Sequence, residues 1–363
     1  MSEFSHKLQR IRTFLAEHHL DALYLQRVSS FAWATCGAAS FVNTAASEGA
    51  ASLLITAENQ YLFTNNIEST RLVKEEKLAA QGWDLRTVPW YEVNTALTER
   101  RRDFKLAADV SLPGAADLSV ELSRLRANLS PEEIERFRTL GRHCAKAMEF
   151  AARAIRPAMS EYEIAALLAG EAQKHGVQAI VNLIAADERI FDFRHPLPTA
   201  KKLDKYVMLV LCGRQHGLVC SVTRFVHFGR LPEEIRHKAE AVARIDATMI
   251  AATRPGWTLG EIFQRTVQTY ADCGYPDEWK LHHQGGPAGY EPREYIAAPD
   301  STDAVYTGQV YAWNPSITGA KSEDTILVGA ENNEILTSMQ DWPATTVEVD
   351  GQKIVRPAIL VIL

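Results

Sequence analysis

Two apolar runs separated by three residues constrain the fold of this chain more than any other feature. KYVMLVLCG (205–213) and GLVCSVTRFVHFG (217–229) are rich in Val, Leu, Met and Phe, with Arg214, Gln215 and His216 between them. Runs of this kind read as buried strands, and so short a gap reads as a hairpin. The flanking segments carry helix signals. In NLSPEEIERF (128–137), Ser130 stands as N-cap, Pro131 takes the first helical position and Glu133 completes a capping box, with a long helix following through CAKAMEFAARAI. RPAMSEYEIAALLAGEAQKHG (156–176) repeats the device with Ser160 and closes at Gly176. Further helices are predicted over 231–252 and 258–274, and VYAWNPSI (310–317) with KSEDTILVG (321–329) reads as another strand pair. Helices around an antiparallel sheet make an α+β domain, expected over 128–363.

Residues 1–127 read differently. Leu8, Ile11, Phe14 and Leu15 recur at helical spacing, DALYLQ (21–26) reads as a strand, and SLLIT (52–56) with QYLFT (60–64) reads as a hairpin. STRLVKEEKLAAQG (69–82) reads as one helix ending at Gly82. A mixed sheet with flanking helices is expected, so the chain of 363 residues divides into two domains.

The formal net charge of −6 argues against nucleic acid and an anionic membrane surface as partners. MSEFSHKLQRIRTFL lacks the apolar run of a signal peptide, and no stretch approaches the ~20 apolar residues of a membrane span. The five cysteines, Cys36, Cys144, Cys212, Cys220 and Cys273, are scattered and form no CxxC. Free thiols in a reducing cytoplasm are the expectation.

One loop is dense in chemistry. LHHQGGPAGYEPREY (281–295) sets two histidines, two glutamates, an arginine and two tyrosines among glycines and prolines. Its glycines accompany no phosphate-binding pattern. The order of motifs resembles the creatinase/aminopeptidase P family, the M24 peptidase-like proteins with a pita-bread catalytic domain. RHPLPT, GLVCSVTRF, HHQGGPAGYEP, AWNPSI and KSEDTILV resemble that family's site segments in the same order, and ILTSMQDWP resembles its closing hairpin. The resemblance implies an N-terminal α/β creatinase-like domain, 1–127, and a C-terminal pita-bread domain, 128–363.

Metal-using members carry two aspartates, one histidine and two glutamates, a set suited to two divalent ions activating a shared water. The matching positions here are Leu211 (Val210 if the hairpin is one residue shorter), Ser221, His283, Asn314 and Glu323. Losing up to three negative charges removes what offsets the repulsion between two dications, so no metal and no cofactor is expected. Creatinase hydrolyses a C–N bond on this fold without metal. The resemblance places its histidine at His195, while its glutamate before the TR-type arginine is Thr223 here, which separates this chain from creatine itself as substrate.

The implied catalytic set is His195 as proton shuttle, His283 as polariser, and Glu323 to orient His283 or protonate a leaving nitrogen. The implied substrate-binding set is His282, Tyr290, Glu291, Arg293 and Arg224. A regular strand would point His282 away from His283. Arg293 and Glu294 pair with each other or grip a substrate carboxylate, and Arg224 also fits a sheet-stabilising role. Three readings stay open: a metal-independent hydrolase of a small amino-acid-derived molecule, a metal-dependent Xaa-Pro peptidase, and a non-catalytic binding protein. A homodimer with a small-molecule substrate is the expected state.

Overall fold

The computed structural model describes residues 2–92 and 104–363. These form two compact units, one of residues up to 126 together with 216–218, the other of 127–215 and 219–363. Among the described residues, no helix is long and apolar enough to cross a membrane.

In the first unit, α1 (Glu3–Glu17) buries Ile11, Phe14 and Leu15 and is capped by Ser2, whose side chain accepts from Ser5 N. The strands β1 (Ala22–Arg27), β2 (Glu48–Thr56), β3 (Gln60–Asn65), β4 (Asp84–Val88), β5 (Leu106–Ala108) and β6 (Ala116–Asp117) form one sheet in the order β4-β3-β2-β1-β5-β6. Its pairings are mixed: β1 runs antiparallel to β2 and parallel to β5. The helix expected over 69–82 is two pieces, Ser69–Lys74 and a 3₁₀ turn at Leu78–Gln81. The break sits at Lys77, with φ 57°. Glu76 causes it by turning inward, where its carboxylate accepts from Ala39 N at 3.0 Å and Arg71 Nη1 at 3.0 Å.

In the second unit, α5 (Pro131–Ala154) and α6 (Glu161–Lys174), which follow α2 (Val28–Ala34), α3 (Ser69–Lys74) and α4 (Ser119–Arg126) along the chain, both begin with a complete capping box. The apolar hairpin is β8 (Tyr206–Gln215) and β9 (Leu218–Phe228), with His216 and Gly217 at the turn, shorter by a residue than the sequence implied. It lies inside a sheet ordered β18-β9-β8-β7, where β7 is Gln178–Ala186 and β18 is Leu360–Ile362. A second sheet, β10 (Gly285–Ala288), β11 (Val310–Trp313), β14 (Asp324–Leu327) and β15 (Glu334–Ile335), brings the histidine loop and the SED segment to the same end, one on each side of β11. The expected 310–329 strand pair is present: β11 runs antiparallel to β14, and the chain between them folds back through β12 (Ser316–Ile317) and β13 (Ala320–Lys321).

A buried ion network ties these elements together. Arg356 Nη2 reaches Asp246 Oδ2 and Asp324 Oδ2, each at 2.6 Å, and Arg224 Nη2 reaches Asp324 Oδ1 at 2.7 Å. Removing one partner leaves a charge stranded without water. Arg356→Met is therefore expected to cost about 3–5 kcal/mol of unfolding free energy. Urea unfolding of the two proteins checks this; a loss under 1 kcal/mol would show that the network is not what holds these strands.

Candidate active site

His195 sits in the loop after the short helix α7 (Arg189–Asp192), and two carboxylates fix that loop. Glu161, wholly buried at the start of α6, accepts from Ala186 N (2.8 Å), Thr199 N (2.8 Å) and Thr199 Oγ1 (2.7 Å), and it pairs with Arg189. Glu278 pairs with Arg194 Nη2 at 2.6 Å and accepts from Thr318 N at 3.0 Å. The residues on both sides of His195 are thus anchored while its ring stays exposed.

His282 and His283 follow a 3₁₀ turn, Glu278–Leu281, and precede Gly285, whose φ is +105°. A Cβ at Gly285 would lie 2.2 Å from Ala312 O, so only glycine permits this close strand approach. The chain at 282–283 is therefore outside the regular strand, and the expectation that His282 points away from His283 fails. Their rings stack with centroids 4.4 Å apart. His282 Nε2 lies 3.0 Å from His195 Nε2, and the His195 and His283 centroids are 6.1 Å apart. The structure gathers all three histidines of the implied site, with His282, expected on the substrate-binding side, in direct contact with His195.

Glu323 is buried beside them. Its Oε1 accepts from Arg293 Nη2 at 2.9 Å, and its Oε2 meets Lys321 Nζ at 3.0 Å and accepts from Thr223 Oγ1 at 2.5 Å. Glu323 is thus bound to cations rather than set to orient His283. Burial acts to raise its pKa, but Lys321 and Arg293 overrule it and hold the carboxyl at about 2. Partial loss of hydrating water among the clustered rings pushes His282 down to about 3 and His283 to about 4, helped by Lys321 at both and by Arg293 at His283; His195, though the side chain reaches solvent, is lowered by the same desolvation and by Lys321. Near neutral pH the site holds three neutral imidazoles, one carboxylate and two cations.

Other candidates are corrected. Tyr290 is buried and its hydroxyl donates to Glu133 Oε1 at 2.6 Å, so the phenol is committed to the core. Arg224 is buried against Asp324 and belongs to the ion network, not to a substrate. Arg293 and Glu294 do not pair: Arg293 serves Glu323 and Ser221, and Glu294 Oε1 accepts from Tyr290 N at 2.7 Å. Glu291 is half-buried, and its charge is felt by Arg214. Lys321 was missed; its place two residues before Glu323 gave no sign that both side chains turn to one spot.

The five family ligand positions can be tested directly. Ser221 Oγ donates toward Cys212 Sγ at 3.3 Å, so Cys212, and by strand alternation Val210, share the face of β8 toward the site, and Leu211 faces away. The position is apolar in either case. Ser221 Oγ also accepts from Arg293 Nη1 at 3.1 Å, and Asn314 has a buried Oδ1 without a hydrogen-bond partner. A guanidinium bridges Ser221 and Glu323, and an ammonium takes the other oxygen of Glu323. These residues do not fit a two-metal centre.

With this geometry in view, comparison with known proteins decides the family. The model of metallopeptidase family M24 matches residues 135–330, and that of the creatinase/prolidase N-terminal domain matches residues 7–129. The chain belongs to metallopeptidase family M24. An uncharacterized peptidase of Staphylococcus haemolyticus is 27% identical over 249 residues, 65% of this chain and 70% of that protein. The Xaa-Pro dipeptidase from Bacillus anthracis is similar with a TM-score of 0.79 at 19% identity, covering 99% of this chain and 100% of that one. The prolidase from Pyrococcus horikoshii OT3 gives 0.78 at 20% identity, covering 92% and 99%. At such identities the structural likeness establishes the fold, an α/β creatinase-type domain followed by a pita-bread domain.

The lowered histidines set a pH dependence. Between their ordinary pKa near about 6.5 and the folded values, the unfolded chain binds protons that the folded site refuses. Stability therefore falls as pH drops from about 6.5 toward 4 and is flat above. Thermal melting across pH 4.5–8 is expected to show that slope, and His282→Gln is expected to flatten it. An unchanged slope in the variant would show that His282 titrates as in the unfolded chain.

Proposed function

We propose that this family member is a metal-independent hydrolase of the creatinase type, cleaving a C–N bond in a small amino-acid-derived molecule. The observation that carries the reading is the 3.0 Å Nε2–Nε2 contact of His195 and His282 beside a carboxylate neutralised by Arg293 and Lys321. One of those nitrogens must donate and the other accept, so the pair holds a single proton between two neutral rings. Water adds across the C–N bond: its oxygen bonds to carbon, His195 takes one proton, and that proton passes to the departing nitrogen. His283, stacked on His282, polarises the scissile group. Arg293 and Lys321 favour the oxyanion that forms on the way. M24 membership supports a hydrolase; the missing acidic ligands support the metal-free form. A small-molecule substrate, a homodimer and a cytoplasmic setting complete the proposal.

A second reading rests on one observation. A ligand nitrogen from each of His195, His282 and His283 lies within 4.8 Å of the others, a spacing that one imidazole-held ion would accept. Such a protein would be a one-metal hydrolase, distinct from both the metal-free and the two-metal forms.

Elemental analysis of the purified protein, with turnover on N-substituted amino acids before and after chelation, separates the three. The proposal expects no stoichiometric metal, turnover indifferent to chelator, and a loss of about 10²–10⁴-fold in His195→Ala, the range for removing a general acid–base group. One tight ion lost in His282→Ala would favour the second reading. Two tight ions would overturn both and return the chain to the Xaa-Pro peptidases. Because the histidines are held neutral, kcat is expected to be flat above pH about 6.5.

A further inference from the structure

Asn314 follows the last residue of β11, the strand between the histidine loop and Glu323. Its backbone N donates to Gln284 O at 3.0 Å, which sets it beside the histidine pair. On the other side Trp313 pairs with Asp324, and Ser322 N donates to Pro315 O at 3.1 Å. Asn314 and Glu323 therefore stand opposite each other between those two links, and directly opposed residues of an antiparallel ladder share a face. Alternation agrees. Tyr311 and Trp313 point into the core with Ile250 and Phe263, and Asp324 turns to Arg356. Asn314, Glu323 and Thr325 take the other face, where Thr325 Oγ1 donates to Ser221 O at 2.9 Å and Glu323 meets Arg293. The Asn314 amide thus points to the candidate site.

Its polar neighbours are spent within the protein. Gln284 serves Tyr270 Oη, Trp279 O and His282 O, Thr223 donates to Glu323, and Ser221 accepts from Arg293. Asn314 differs. It is only 3% exposed, and its Oδ1 is buried with no hydrogen-bond partner. An acceptor taken from water and left unmade costs stability, and an apolar side chain of similar shape, such as leucine, would avoid that cost. A half-turn about χ2 exchanges oxygen and nitrogen, so the amide can present either end to the site. The site opens to solvent nearby, because His283, next to Gln284, is exposed. Arg293 and Lys321 on Glu323 disfavour a further cation, so the donor that suits this acceptor is a neutral one.

We infer that the Asn314 amide oxygen accepts a hydrogen bond from the N–H of a neutral amide or ureide in the substrate. This deepens the hydrolase reading above and rests on it for the word substrate. Lys321 and Arg293 keep the oxyanion, and Asn314 takes the nitrogen side of the same group. The assignment separates this chain from Xaa-Pro cleavage, because the nitrogen of an Xaa-Pro bond carries no hydrogen. It also sets amides above esters, since a site built to bond an N–H rejects the analogue that lacks it.

N-methylacetamide and methyl acetate have nearly the same shape and differ by an N–H against an ester oxygen. With asparagine side chains isotope-labelled, the Asn314 amide signal in the NMR spectrum is the one missing from Asn314→Leu. N-methylacetamide is expected to shift that signal in the unaltered protein, and methyl acetate to leave it in place. The dissociation constant for N-methylacetamide is expected to rise about fivefold in Asn314→Leu, the loss of one neutral hydrogen bond, while that for methyl acetate is unchanged. The variant is expected to melt no lower than the unaltered protein. A folded variant that melts clearly lower and binds N-methylacetamide undiminished would assign the amide to folding and overturn the inference. Equal affinity of the unaltered protein for the two probes would overturn it whether or not the variant folds. Selective binding of N-methylacetamide, without turnover of any amide or ureide, would support the assignment and sink the hydrolase reading. Turnover of amides and esters alike, indifferent to Asn314→Leu, would do the reverse.

Discussion

Glu323 is the constraint on which the candidate site depends. A carboxylate that is only 2% exposed must be neutralised, and in a two-metal hydrolase divalent ions would do it. Here the chain supplies an ammonium and a guanidinium from its own residues. The substitution has physical consequences. Covalently tethered cations cannot be removed by a chelator, and their charge does not vary with metal supply. They also offer N–H donors in place of open coordination positions, so they can bind an anion or steady an oxyanion but cannot acidify a bound water as a metal does. On the metal-free reading proposed above, proton transfer falls to a titratable side chain, the role proposed for the histidines.

The same cations explain why those histidines stay neutral. Burial is the largest influence on His282 and His283, and Lys321 adds to it at both. A group of imidazoles beside a carboxylate would ordinarily gain protons from it. Glu323 does pull both histidines upward, but burial and Lys321 outweigh it. Neutral rings are what allow His195 and His282 to place a single N–H between their two Nε2 atoms, where two imidazoliums would set N–H against N–H.

Much of the fold was legible because its signals are local. The capping boxes at Ser130 and Ser160, the apolar hairpin and the β11/β14 pairing each follow from neighbouring residues. Where the reading failed, the cause lay far away in sequence. Tyr290 is spent on Glu133, 157 positions earlier, and the helix at 69–82 breaks because Glu76 finds Ala39 N. His282 was misdirected by assuming a strand where the chain is still leaving a 3₁₀ turn. Lys321 escaped notice because it lies on β13 and Glu323 between it and β14, so their shared target depends on a bend that periodicity does not reveal. The site was therefore legible as a set of missing acids; the identity of what replaced them was not.

Two carboxylates anchor the loop that carries His195. An exposed loop ordinarily samples many conformations, and a proton shuttle that wanders by 1 Å loses much of its value. Glu161 holds one side of this loop through four donors, and Glu278 holds the other through Arg194 while also gripping Thr318. Glu161 accepts on both of its oxygens, while Arg194, Thr318 N and Thr318 Oγ1 all bond to Oε2 of Glu278. Their role is to position, and the cost of burying Glu161 makes sense only if the conformation it enforces is needed. A loop of this length would close the fold without so buried a charge. That the chain retains one is an argument that the place of His195, and not merely its presence, is what the structure has been built to keep.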